Sequence, residues 1–240
     1  QEKMGTKVVL EVKGDNQMIT EDEVKAIREM EGVIYVNRLT SGAAYPVDFN
    51  PVTSSDSEEE NNWKVTLLSY DDLERDSAFS DLRYRLMKGN LITEGSEKGA
   101  VINYVLADAN GLEIGDEIKV GTESGRVTGV KIIGVFVAGS ERKQMDTLPA
   151  VNRIENQIFL DNESYAALSN HEGYRKIAVY TRQPDQVDAL VQELQDFLGN
   201  RTESTTADVL YRQLEAPLNR IVRVMRLMLI FTLTAGATIT

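Results

Sequence analysis

The residues that could do chemistry are few and poorly grouped. His171 is the only histidine. A serine triad would have to use it, yet no GxSxG elbow is present. The pair His171-Glu172 has no second histidine three residues on, so the helical zinc motif is absent. Gly129 and Gly134 stand five apart with no Lys-Ser/Thr after them, which removes a phosphate loop. Those glycines read instead as relief for a bent strand. There is no cysteine, which removes thiol catalysis, zinc-thiolate centres and a disulfide framework. The acidic run at 53–62 (TSSDSEEENN) has the oxygen ligands calcium wants but not the alternating spacing and central glycine of an EF-hand loop, so it reads as a solvated hairpin tip. The remaining acidic residues, part of a total of 38, mark no carboxylate pair above another. One cluster joins motif to geometry: Gly111 as a left-handed helix cap, with Gly115 and Asp116 making a tight turn just after it. The chemistry implied is structural. No catalytic residue, metal site or cofactor motif stands out.

Composition is that of an ordinary globular protein. Apolar residues make up 42% and charged residues 27% of 240, enough for one large domain or two small ones with real cores. The net charge of −12 repels nucleic-acid backbones, so that class of partner is set aside. The first residues, QEKM, have no apolar core and do not form a signal peptide.

The elements that must position these residues follow from periodicity. Residues 7–12 (KVVLEV) read as a strand. Thr20 and Glu23 form a capping box, Val24, Ile27 and Met30 recur at helical spacing, and Gly32 closes the helix. Residues 33–39 give the next strand, completing a β-α-β unit. Residues 63–69 alternate as a strand, and 71–88 look helical up to Gly89. Then come a short strand at 100–103, a helix at 104–110, a strand at 117–120 and a longer one over 126–138, bent near Gly134. A strand at 157–160 leads into a short helix ending at Leu168, and 176–181 is again a strand. After Pro184, an apolar face of Val187, Leu190, Val191, Leu194, Phe197 and Leu198 specifies a helix closed by Gly199. Two β-α units therefore flank a middle insert.

Beyond them the pattern changes. Leu210, Leu214, Leu218, Ile221, Val222 and Met225 recur every three or four residues, with Arg220, Arg223 and Arg226 on the opposite face and Pro217 at a kink or helix start. Residues 227–240 (LMLIFTLTAGATIT) carry no charge. The reading is a stalk helix running into the opening half of a transmembrane helix, its arginines at lipid phosphates.

The stretch from Leu86 to Val120, followed by VTGVKIIGVF, resembles the extracytoplasmic domain of MacB-type ABC transporter permeases, a MacB/FtsX-like family. The matching positions are Lys88-Gly89, Thr93-Glu94, Ala100 to Ala107, Gly111-Leu112, Ile114-Gly115-Asp116, Ile118 and Val127 to Gly134. The opening Ile19-Thr20-Glu21-Asp22-Glu23-Val24 with Gly32-Val33, and the ending, resemble it too. The resemblance implies an α+β fold of two parts. A β-α-β "Porter" lobe would span 1–70 and 155–211, an inserted "Sabre" lobe 71–154, and the stalk 212–240. It implies a non-catalytic domain on the extracytoplasmic side of a bacterial cell membrane that transmits ATP-driven conformational change for export. The partners implied are a cytoplasmic ABC ATPase, a second permease copy and an envelope adaptor protein. Two other readings stand beside it. One is a ligand-sensing ectodomain whose acidic surface draws in cationic antimicrobial peptides. The other is a soluble enzyme that buries its last helix.

Overall fold

A computed structural model describes residues 6–14, 17–53, 59–138, 148–169, 172–182 and 184–206. His171, residues 54–58 of the acidic run and the whole segment carrying Leu210, Leu214, Pro217, Leu218, Arg220, Ile221, Val222, Arg223, Met225 and Arg226 lie outside the described residues.

The outer parts of the chain form one β-α-β-β-α-β unit. Strand β1 (Thr6–Val12), helix α1 (Glu21–Arg28) and the start of strand β2 (Val33–Pro46) form its first half. The chain leaves after β2 through strand β3 (Val65–Tyr70), the single turn α2 (Ser77–Ser80), strands β4 (Tyr84–Gly89) and β5 (Gly99–Asn103), and helix α3 (Tyr104–Asn110). Strands β6 (Glu117–Gly121), β7 (Val127–Ala138) and β8 (Gln157–Asp161) follow, then helix α4 (Asn162–Leu168). The chain returns through β9 (Lys176–Thr181), α5 (Val187–Leu198) and β10 (Thr202–Thr206). The four outer strands lie in the order β10-β1-β9-β2, all antiparallel. That is the 4-1-3-2 order of a split β-α-β sandwich. Val8, Leu10, Val24, Ile27, Val36, Ile177, Val179, Leu190 and Leu194 are buried together between this sheet and its two helices.

Local chemistry places the helices. Thr20 and Glu23 complete the capping box: the Thr20 amide donates to Glu23 Oε2 at 2.8 Å and the Glu23 amide to Thr20 Oγ1 at 3.3 Å. Helix α5 buries Val187, Leu190, Leu194 and Leu198 on one face, with Val191 partly buried, whereas Phe197, expected on that face, is 45% exposed.

The inserted part is a mixed sheet that closes on itself. From β2 the order continues β3-β8-β5-β7-β4, with β3–β8 and β5–β7 parallel. Strand β6 pairs with β7 and also, through Val120 and Gly121, with the end of β2. The strands β2, β3, β8, β5, β7 and β6 thus form a ring. Its inside is filled by Ala44, Val65, Leu67, Ile102, Leu106, Val120, Val130, Ile132, Ile158 and Leu160. Closing the ring requires a bend in β7, which a bulge at Ile133 supplies: Ala100 lies opposite Ile132, but Val101 lies opposite Gly134. At Gly134 any Cβ would run into the carbonyl oxygen of Asn90. On the outer face, Tyr70, Phe79, Phe136 and Phe159 form an aromatic layer with Tyr84.

Two features depart from the sequence reading. The helix expected over 71–88 is a 3-10 turn at Leu73–Arg75 and the single turn α2, followed by strand β4. Leu82 takes a left-handed φ of 58°, which ends the turn. Beyond it Tyr84 is directed into the aromatic layer, 5.0 Å from the Phe136 ring centroid, while Arg85 is exposed. Strand β2 is also twice as long as its periodicity suggested, because its first half serves one core and its second half the other. Strands β3 and β8 belong to the ring, β3 pairing with β2 and β8, and β8 also with β5.

Candidate functional site

The two cores meet at β2, and a buried polar cluster marks the meeting point. Val36 belongs to the sandwich core and Ala44 to the ring core. Between them Arg38 is a half-buried cation, its side chain 20% exposed. A guanidinium taken out of water must be paired and fully hydrogen-bonded. Asp71, just past the end of β3 and only 5% exposed in its side chain, supplies the pair. Arg38 Nε donates to Asp71 Oδ2 at 2.8 Å and Nη2 to Oδ1 at 2.6 Å, a bidentate fork. The Arg38 amide also donates to Asp71 Oδ2, at 3.0 Å.

Three more elements close around this pair. Arg38 Nη1 donates to Glu21 Oε2 at 2.8 Å, at the first residue of α1, and to the Tyr174 hydroxyl at 2.9 Å. The Tyr174 hydroxyl in turn donates to Glu21 Oε2 at 2.9 Å, and the Arg38 guanidinium lies 5.0 Å from the Tyr174 ring centroid. Asn162, the first residue of α4, donates to the free side of Asp71 Oδ1 at 2.9 Å. Hydrogen bonding to Asp71 raises the guanidinium's pKa above its already high ordinary value. Burial pushes the Tyr174 phenol up to about 12. Both groups therefore keep their charge states across physiological pH. Neighbouring Asn37 is 1% exposed and fixes the same turn: its Nδ2 donates to the Asp72 carbonyl at 2.7 Å and its Oδ1 accepts from the Asp72 amide at 3.0 Å.

Two cavities flank the cluster. One, of about 380 Å³, is lined by Thr40, Arg126, Asn162, Tyr165, Glu172 and Tyr174. The other, of about 140 Å³, is lined by Arg38 and Asp71 with Glu94, Glu97, Asp161 and Glu163. The cluster ties the middle of β2 to the end of β3, to α1 and to α4 where the two cores meet.

The turn residues singled out in the sequence lie elsewhere. Gly111 ends α3 with φ 63° and donates to the Ala107 and Asp108 carbonyls. Gly115, at φ 103°, donates to the Ile132 carbonyl at 2.8 Å. Asp116 Oδ2 accepts from the Glu113 amide at 2.8 Å. These three tie the helix α3 turn to β7, on the ring side, away from Arg38. Sequence reasoning did not single out Arg38, Asp71 or Tyr174, and took Asn162 only as an alternative to Asp161 for the cap of a short helix, a cap that Asp161 supplies. They are separated by up to 136 residues, and no local pattern distinguishes Arg38 from any other charged residue on a strand. Glu21 was noticed only as part of a helix start. Among the described residues no group of His, Asp and Glu could hold a metal ion, and no helix is long and apolar enough to cross a membrane.

A family model described as the MacB-like periplasmic core domain matches residues 2–197. The periplasmic region of MacB from Actinobacillus actinomycetemcomitans has a similar fold, with a TM-score of 0.56 at 11% identity over 88% of this chain and 94% of that one. The extracellular domain of the noncanonic ABC-type transporter YknZ from Gram-positive bacteria gives a TM-score of 0.51 at 14% identity, covering 83% and 98%. At such identities the likeness is one of fold. No curated protein sequence matches the chain.

Proposed function

Because the chain belongs to the MacB-like periplasmic core domain family, we propose that it is the extracytoplasmic domain of an ABC-type transporter permease, anchored at the cell membrane. The match over 2–197 carries this reading. In it the domain performs no catalysis. ATP is hydrolysed by a cytoplasmic ATPase, and a second permease copy and an envelope adaptor complete the assembly. The sandwich unit and the ring act as two lobes, the "Porter" and "Sabre" parts. The segment 210–225, amphipathic in sequence, links the first lobe to the membrane. Movement delivered there reaches the ring through β2 and the Arg38–Asp71 cluster, because β2 runs through both cores and the cluster ties its middle to β3, α1 and α4.

The test uses the full-length permease with its ATPase in proteoliposomes. Asp71→Asn removes the charge from the pivot and keeps its shape. The expected result is a fall in export of about tenfold, as for the loss of ~1.4 kcal/mol of coupling, with ATP hydrolysis retained. Export unchanged in a folded variant would remove the pivot from the mechanism. Absence of the protein from the membrane fraction would remove the transporter reading itself.

A further inference from the structure

Strand β4 is the last strand on its side of the sheet and pairs with β7 alone. Its other edge offers backbone N–H and C=O groups that no strand among the described residues takes up. Such an edge is a template for another chain unless it is blunted. The side chains here are unusual for this protein. The run 82–89, LRYRLMKG, has three cations and no carboxylate in a chain of net charge −12. Arg83, Arg85 and Lys88 are exposed. Arg83 donates to Ser77 Oγ at 3.2 Å, while Arg85 and Lys88 make no ion pair among the described residues. The nearest acid in sequence, Asp81, accepts a hydrogen bond from Ser80 Oγ. Two large apolar side chains stand out beside the cations: Leu82, 76% exposed, and Met87, 45% exposed.

These features reject one partner and favour another. If two copies paired β4 with β4, the Arg and Lys side chains of one would face those of the other, and cross-strand like charges are unfavourable. The bulge at Met87, where Leu86 and Lys88 lie opposite the consecutive residues Phe136 and Val135, further distorts such a pairing. A strand carrying carboxylates meets the reverse situation, with attraction where the copy meets repulsion. Exposed Leu82 and Met87 then have apolar partners to cover them.

We propose that the free edge of β4 docks an extended, acidic segment of a partner protein, which adds to the sheet as a further strand. Backbone hydrogen bonds hold it, Arg83, Arg85 and Lys88 select its charge, and Leu82 and Met87 take up its apolar side chains. The proposal rests on this edge alone, so it stands or falls separately from the transporter reading.

The experiment uses the isotope-labelled chain and a probe peptide, acetyl-Glu-Val-Glu-Val-Glu-Val-amide, titrated by NMR. The expected result is amide shift changes clustered at residues 84–89. Affinity should fall by about tenfold or more in the double variant Arg85→Glu/Lys88→Glu, and be lost when alternate backbone nitrogens of the peptide are methylated. The charge-reversed peptide, with Lys in place of each Glu, should not bind. Because both substituted side chains are exposed, circular dichroism should report an unchanged fold. Arg85→Gln/Lys88→Gln, giving an intermediate affinity, guards against a folding artefact. Equal binding of the methylated peptide would leave only surface electrostatics and overturn strand addition. Shifts confined to other strands would overturn the site. Failure of the peptide to bind, with vesicles of one-third phosphatidylglycerol captured through the same cations, would make the strand a membrane-facing edge. Concentration-dependent dimerisation abolished by charge reversal would make it an interface between copies.

Discussion

Removing the Asp71 carboxylate should reveal how much of the domain's stability depends on the polar junction. Asp71→Ala deletes a group that accepts four hydrogen bonds, three from Arg38 and one from Asn162, between 2.6 and 3.0 Å. It leaves a cation whose side chain is 20% exposed without its main partner. Breaking a buried pair from one side costs roughly 3–5 kcal/mol. Arg38 retains Glu21 at 2.8 Å, but that carboxylate is 41% exposed and better screened. The cost therefore falls near the low end, about 3 kcal/mol. For a domain of this size that lowers Tm by about 6–12 °C. Urea unfolding followed by fluorescence measures it. The companion Arg38→Met should be costly too, since it strips Asp71 of both guanidinium donors and leaves it only the residue-38 amide and Asn162. The double variant should be more stable than the sum of the two by at least about 1 kcal/mol, because the orphaned charge is gone. A single variant within about 1 kcal/mol of the parent, or a cycle that adds without a coupling term, would refute the reasoning that the junction is a buried ionic pivot.

Tyr174→Phe removes the hydroxyl shared by Arg38 and Glu21 and should cost about 1 kcal/mol by the same assay. Hydrogen bonding from Arg201 holds the Glu23 carboxyl below its ordinary value of 4.5. The folded value is depressed, so this contribution is present above pH 4.5 and is lost as pH falls through the folded value. Glu23→Gln should accordingly flatten the acid limb of a stability–pH profile and leave the neutral limb shifted by a constant. Two glycines should separate space from backbone strain. Gly111→Ala, at φ 63° with no atom within 4 Å of its Cβ, should cost about 1 kcal/mol. Gly134→Ala, whose Cβ meets the Asn90 carbonyl, should cost about 2–3 kcal/mol. A reversed order in thermal unfolding would remove the bulge as a constraint on the ring.

What the sequence determined by itself is what a few neighbouring residues can encode. The Thr20–Glu23 cap, the α5 face and the succession of β5, α3 and β6 were legible because each depends on contacts within one or two turns of chain. The same local patterns, taken in order, carried the resemblance to the family whose model covers residues 2–197. The mixed α/β character followed as well. Tertiary structure decided the rest. Whether 84–89 is helix or strand depended on an aromatic layer in which Tyr70 and Phe79 meet Phe136 and Phe159, the last two more than 45 residues further along the chain. The closing of the ring depended on β6 reaching the end of β2, more than 70 residues earlier. The junction depended on which of 38 acidic residues would lie beside Arg38. A carboxylate's identity carries no record of its partner. Desolvation and pairing act only once the strands have met, so the polar pivot was set by the fold and not by any motif along the chain.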